Sequence, residues 1–292
     1  MNVFRGQRLA AGAVMALALA MAGCSGGSIR EGTPPSAEGN TLAATTTVLP
    51  TSANSYLSTH AQTEGAVTDI QTDDGTLRSV SVTAGGLTHV FAESCWGDES
   101  FGECYDADGG RARVSNYFGT YQHLLTVEWE RHLNVEGHSV DFYGEGIIGT
   151  RTAPDDMPKD IRATYEGQVI MRAAPDSGLA SGDIVRQGMG DARFEADFGT
   201  GRLSGAFENF SDRETGDPLA GRVTMDGRIR DNGFSVDSVT GTFADMNIRS
   251  GSGQGHFFGP GAAELGGTAT FTGSCNGGQS CSGTALFVGR KQ

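Results

Sequence analysis

Positive charge is scarce in this 292-residue chain: 21 lysines and arginines stand against 35 aspartates and glutamates, a net charge of −14. Nucleic-acid binding needs a basic footprint, and this balance excludes one. Catalytic signatures are scarce as well. Beyond the cysteine at position 24 there is no Gly-x-Ser-x-Gly elbow. No His-Glu-x-x-His zinc helix occurs anywhere. Long apolar stretches are limited to one, Leu9–Ala22. It falls short of the roughly 20 residues that a bilayer-spanning helix takes. Between Thr51 and Asp160 no long run has helical period. The chain is therefore read as all-β and non-enzymatic. No cofactor is assigned, since neither haem nor metal binding has support in the residues.

What is present begins at the N-terminus. Arg5 and Arg8 precede the apolar run, which closes Met21-Ala22-Gly23-Cys24. A basic start, an apolar core and small residues before a cut describe a secretory signal peptide over residues 1–23. The cysteine makes the pattern resemble a bacterial lipobox, which implies lipidation at Cys24 by several acyl chains, enough for stable anchoring. Ser25 stands where an aspartate would favour inner-membrane retention. The expected location is thus the outer membrane, lipid-anchored, at the cell surface. Residues 1–23 hold two arginines and no acid, so the remaining 269 residues carry −16.

With Cys24 assigned to lipid, four cysteines remain: Cys95, Cys104, Cys275 and Cys281. An even number in an exported protein reads as disulfides. Three connectivities are possible. Local pairing is expected, because each close pair brackets a turn-rich loop. Such short loops add only about 2 kcal/mol by loop entropy, so they pin loops more than they hold the fold.

Residues 24–50 hold almost no large apolar side chain past the cysteine and read as a flexible tether. Residues 51–160 mix short alternating runs, such as Leu124–Trp129, with Gly, Asp and Asn turns. Both tryptophans lie in that segment. From 161 to 292 the alternation becomes regular: Ala163–Met171, Ala192–Phe198, Gly201–Phe207, Arg222–Ile229, Phe234–Val239, Gly267–Gly273 and Thr284–Arg290. Period-two runs between turn residues indicate an antiparallel sheet or barrel. Asp231-Asn232-Gly233 reads as a hairpin in which Asn-Gly takes positive φ. One face of each run is charged (Arg193, Glu195, Asp197; Arg222, Thr224, Asp226) and the other apolar (Phe194, Ala196, Phe198; Val223, Met225). That is apolar inside and polar outside, the reverse of a membrane-spanning barrel.

The segment Gly255-His-Phe-Phe-Gly-Pro-Gly-Ala-Ala-Glu-Leu-Gly-Gly-Thr-Ala-Thr-Phe-Thr-Gly resembles the signature of the transferrin-binding protein B barrel family. There a strand ends in an aromatic-Gly-Pro turn, a short Ala/Glu helical turn follows, and Gly-Gly opens the next strand. Ala163-Thr-Tyr-Glu-Gly, Ala196–Gly205 and the closing Leu286-Phe-Val-Gly-Arg-Lys also fit. The resemblance implies an eight-stranded barrel, residues 161–292, behind a less regular β "handle", residues 51–160. It also implies a surface lipoprotein that binds a host or nutrient-carrier protein, including iron or haem carriers. An outer-membrane receptor or assembly modulator is an implied partner. Transferrin receptors of this family have two lobes and this chain has one. Single-lobed relatives such as factor H-binding protein serve other ligands.

Within the handle, Trp96, Phe101, Tyr105, Tyr117, Phe118 and Tyr121 cluster around the first cysteine pair. Aromatics on a pinned loop suit binding anchors, and Trp96, Phe101, Tyr105, Tyr117 and Tyr121 are the candidate ligand residues. Glu128, Glu130 and His132 share a strand face, opposite Trp129 and Leu133, and read as a polar side turned to water. Gly144–Gly149 matches a dinucleotide fingerprint as a string, but Thr-Arg-Thr-Ala-Pro follows and opens no helix, so it reads as a strand. Asp106-Ala-Asp-Gly-Gly lacks the terminal glutamate of a calcium loop and reads as an acidic turn. The two function classes are a ligand-binding lipoprotein and a structural coat lipoprotein with no specific ligand.

Overall fold

The computed structural model describes the backbone of residues 45–50, 60–62, 65–73, 76–84, 87–97, 101–116, 120–135, 138–175, 186–275 and 277–292. The signal peptide, Cys24, Tyr117 and Phe118 lie outside the described residues, as does the side chain of His132.

The described residues are all-β apart from one short 3-10 turn, Pro154–Asp156. The handle contains β1 (Thr45–Pro50), β2 (His60–Gln62), β3 (Gly65–Asp73), β4 (Thr76–Ala84) and β5 (Leu87–Phe91). It continues with β6 (Ser94–Gly97), β7 (Phe101–Tyr105), β8 (Arg111–Ser115), β9 (Leu124–Val135) and β10 (His138–Gly149). They form a seven-stranded sheet, in the order β2-β1-β10-β9-β8-β7-β6, and a three-stranded sheet, β3-β4-β5. The strand β1 corrects the tether reading: Thr47–Pro50 pair with Val140–Tyr143 of β10, so the folded body begins inside residues 24–50.

The barrel follows as β11 (Arg162–Pro175), β12 (Arg186–Asp197), β13 (Arg202–Asp212) and β14 (Gly221–Arg230). It is completed by β15 (Gly233–Phe243), β16 (Met246–Phe258), β17 (Glu264–Cys275) and β18 (Gln279–Lys291). Each strand pairs antiparallel with the next, and β18 returns to β11 to close the barrel. Closure leaves no edge strand to pair with another chain. Each of the seven alternating runs falls on its own strand, with only Phe198 and Gly201 lying just beyond the ends of β12 and β13. The eighth, β16, has Gly251, Gly253 and Gly255 at alternating positions, so its period carries no hydrophobic signal.

The barrel is filled, not hollow. Phe287 sits at its centre, with ring centroids 5.4 Å from Phe194, 5.6 Å from Phe207 and 6.2 Å from Phe234. On β12 and β14 the outward positions Asp191, Arg193, Glu195, Arg222, Asp226 and Arg228 are exposed, while Ala192, Phe194, Val223 and Met225 are buried. A membrane-spanning barrel carries an apolar band on that outer face.

Two turns differ from their sequence reading. In the β14–β15 hairpin, positive φ falls on Asp231 (52°), and Gly233 is already the first residue of β15. After Phe258 no helical turn forms. Gly259, Gly261 and Ala262 adopt φ of 71°, 59° and 57°, and Glu264, not Gly266, opens β17. A run of left-handed residues cannot continue a right-handed helix.

The three layers stack as small sheet, large sheet and barrel wall. Leu77, Val80, Val82 and Phe91 of the small sheet pack on Cys104, Ala112, Val114, Val127, Trp129 and Ile148 of the large one. Gly144 is required there. A Cβ at that position would lie 2.0 Å from the Trp129 ring. The other face of the large sheet meets the barrel. Tyr121, Leu124 and Ile147 join Ile170, Phe258, Leu286 and Val288 in one buried cluster. This is why β17 and β18 are buried on both faces over most of their length, whereas β12 alternates.

Candidate functional site: an aromatic hairpin and the joint behind it

The strands β6 and β7 form a hairpin at the edge of the large sheet, and Cys95 and Cys104 stand directly opposite each other in it. They are joined as a disulfide, and so are Cys275 and Cys281. Local pairing is thus the connectivity the fold adopts. On the face away from the small sheet, Trp96 and Phe101 are 47% and 44% exposed. Their rings meet edge-on, 5.6 Å apart. Large aromatics are seldom left this open without a use.

The pair is held from behind by a polar chain. Trp96 hydrogen-bonds the Tyr105 hydroxyl, which donates to Glu103 Oε2 at 2.9 Å. Arg113 donates to Glu103 Oε1 at 2.6 Å and lies over the Phe101 ring, 5.8 Å from its centroid. Glu103 is buried. Burial opposes its ionised form, but hydrogen bonds from Arg113 and Tyr105 outweigh this and hold its pKa below the usual value. The hydrogen bond that Tyr105 donates to Glu103 pushes the tyrosine pKa up. Tyr105 is therefore a support beneath the aromatic pair and only half-buried. Tyr121 is not part of this surface. It is buried against the barrel, within the apolar cluster at the joint. The turn Asp106–Gly110 is closed by its own side chain, with Asp106 Oδ1 accepting from the amides of Asp108 (3.0 Å) and Gly110 (2.6 Å).

A cleft of about 380 Å³ opens between handle and barrel, lined by Arg111, Arg113, Glu128, Glu130, Arg172 and Arg213 among others. Here the expectation that Glu128 faces water fails. Its carboxylate accepts from Arg213 Nη1 (2.6 Å) and Nη2 (2.7 Å) and from Arg172 Nη2 (2.5 Å). Burial disfavours the charge, yet the two guanidiniums prevail and bring its pKa to about 2. Arg172 also pairs with Glu145, to which Thr284 offers its hydroxyl at 3.4 Å. Arg111 pairs with Glu130 at 2.8 Å. Arg111, Arg113, Glu145, Arg172, Gln187 and Arg213 were not among the sequence candidates. The available signal was Glu128 and Glu145 on adjacent strands, a like-charge pair that demands a cation.

The signature segment docks the handle. Glu264 Oε1 and Oε2 accept from the backbone amides of Gln122 (2.7 Å) and His123 (2.9 Å). Gly259 lies under the His123 ring, where a Cβ would come within 2.2 Å. Next to it, His256 lies near Arg151 and edge-on to Phe258. Burial, and then the nearby Arg151 charge, lower the His256 pKa to about 4, against the opposing hydrogen bond to the Asn232 backbone. The unfolded imidazole titrates near 6.5, so the folded state binds fewer protons between these values. Stability is expected to fall as pH drops from about 6.5 to 4. Melting temperatures across that window check this: His256→Gln flattens the slope, and parallel curves for the two proteins would remove His256 as its source.

These features define a filled, up-and-down β-barrel with a two-sheet β domain docked on its wall. Residues 157–289 match the family model described as the C-lobe and N-lobe β-barrels of Tf-binding protein B. The barrel is thus transferrin-binding protein B-like. The curated transferrin-binding protein B of Neisseria meningitidis serogroup A is 25% identical over 162 residues, 50% of this chain and 23% of that protein. The chain therefore spans about a quarter of the curated relative's length. Among solved structures, a transferrin-binding protein B from Haemophilus parasuis aligns over 86% of this chain and 45% of its own, at 19% identity and a TM-score of 0.46. The isotype 1 protein from serogroup B Neisseria meningitidis aligns over 86% and 44%, at 17% identity and a TM-score of 0.44.

Proposed function

We propose that this chain is a lipid-anchored outer-membrane lipoprotein that captures a protein ligand on the Trp96–Phe101 hairpin. The exposed, pre-organised aromatic pair carries the reading: two rigid rings, fixed by a disulfide and a hydrogen-bonded support, lose little entropy on binding. Met21-Ala22-Gly23-Cys24 supports the anchor. The barrel's family supports an iron-carrier protein as the ligand class, and transferrin, which gives the relatives their name, is the first to test.

The test uses the full chain in detergent, titrated with iron-loaded and iron-free transferrin and with serum and haem-carrier proteins. Trp96→Ala and Phe101→Ala should each weaken a specific complex roughly 10- to 100-fold while leaving the melting temperature unchanged, since both rings are half-open to solvent. Saturable binding insensitive to both substitutions moves the site off the hairpin. Absence of saturable binding to any carrier supports the coat reading instead.

A further inference from the structure

Side chains level with one another across a sheet form rows, with neighbours about 5 Å apart at Cβ. One row crosses the handle from its open edge to the barrel: Trp96 on β6, Glu103 on β7, Arg113 on β8, Glu128 on β9 and Glu145 on β10. Beside it runs Tyr105, Arg111 and Glu130. Charges in the first row alternate until Glu128 meets Glu145. Two carboxylates directly opposite repel. Arg172 pairs with both, and Arg213 grips Glu128 a second time.

Arg113 occupies the pivotal place. It stands between Glu103 and Glu128 in the row and donates to Glu103. That choice keeps its guanidinium over Phe101 and leaves Glu103 in place to accept from Tyr105, which supports Trp96. It is open to Arg113 because Glu128 is already satisfied from the barrel side.

We propose that this row couples the aromatic hairpin to the handle–barrel joint, making the barrel residues Arg172 and Arg213 positioning residues for the Trp96–Phe101 face. When the barrel arginines are removed, Glu128 competes with Glu103 for Arg113. Arg113 then leaves the Phe101 ring, Glu103 is left with less than its full set of donors, and the Tyr105–Trp96 support loosens. The coupling holds whatever the hairpin binds, so it stands apart from the identity of the ligand.

Amide hydrogen exchange on the full chain tests it, read at β6–β7 and, as a reference, at β13–β15. Arg213→Gln should speed exchange across residues 94–105 roughly three- to tenfold, the size expected for coupled neighbours in one network. The reference strands should not change. Adding Glu128→Gln to Arg213→Gln removes the competing charge and should return the hairpin towards its native rate. A purely structural clamp predicts the opposite, since the second loss only adds to the first. Arg172→Met should act in the same direction as Arg213→Gln. If it fails to fold, the Arg213→Gln and Arg213→Gln/Glu128→Gln comparison still decides. Native exchange at the hairpin in Arg213→Gln, or no rescue in the double variant, overturns the proposal.

Discussion

Glu128→Ala is expected to destabilise the protein by about 3–5 kcal/mol, the range for removing one partner from a buried ion pair. Its side chain is 16% exposed, and its loss strips partners from two arginines at once. The cost is large because, among the described residues, Arg172, 12% exposed, keeps its charge with Glu145 and the Gln187 side-chain amide to offset it. The sign of the acid dependence follows from the lowered pKa. Glu128 titrates at about 2 in the folded chain, against 4.5 unpaired. Its contribution is complete above about pH 4.5 and disappears as pH falls towards 2. The shift corresponds to about 3 kcal/mol by linkage. Urea denaturation at pH 7 and at pH 2.5 checks both statements: the gap between wild type and variant should shrink sharply at the lower pH. A gap that persists unchanged would mean that Glu128 acts by packing, not by charge. This acid window lies largely below that of His256, overlapping it only near pH 4 to 4.5, so most of each transition is read separately in one titration.

Glu264→Ala should release the handle from the barrel. It deletes the acceptor for two backbone amides, and hydrogen bonds to a charged acceptor contribute about 1.5–3 kcal/mol each. We expect a loss of about 3 kcal/mol or more, with handle strands cut by protease before barrel strands. The barrel retains its own aromatic core and ladder, so it should melt as a separate, later transition. A single transition at lowered temperature would show instead that the apolar cluster of Tyr121, Leu124, Ile147, Phe258 and Leu286 holds the joint without Glu264.

The barrel was legible because its physics is local. On β12 and β14 each side chain either enters the core or meets water, so Phe194, Ala196, Val223 and Met225 alternate with Arg193, Glu195, Arg222 and Asp226. A period of two survives in the sequence wherever one face is wet. The alternation read over Thr284–Arg290 does not hold in the burial: Ala285 and Phe287 face the core while Leu286 and Val288 face the handle. That unbroken apolar run marks a strand covered on both faces. The signature glycines and Glu264 were visible as a pattern, but their task, gripping residues 122 and 123 more than 130 positions away, was not.

The sequence by itself determined the strand alternation of the barrel, the local cysteine pairs and the aromatic concentration around Cys95. Each depends on neighbours within a few residues or on composition. The tertiary structure alone decided which aromatics stay open. It buried Tyr121 and left Trp96 and Phe101 in solvent, because exposure depends on what packs against a face and not on the residue type. It also turned Glu128 from an expected solvated side chain into the centre of an ion-pair network. Its partners Arg172 and Arg213 lie 44 and 85 residues away, and only the closure of the barrel against the handle brings them within reach.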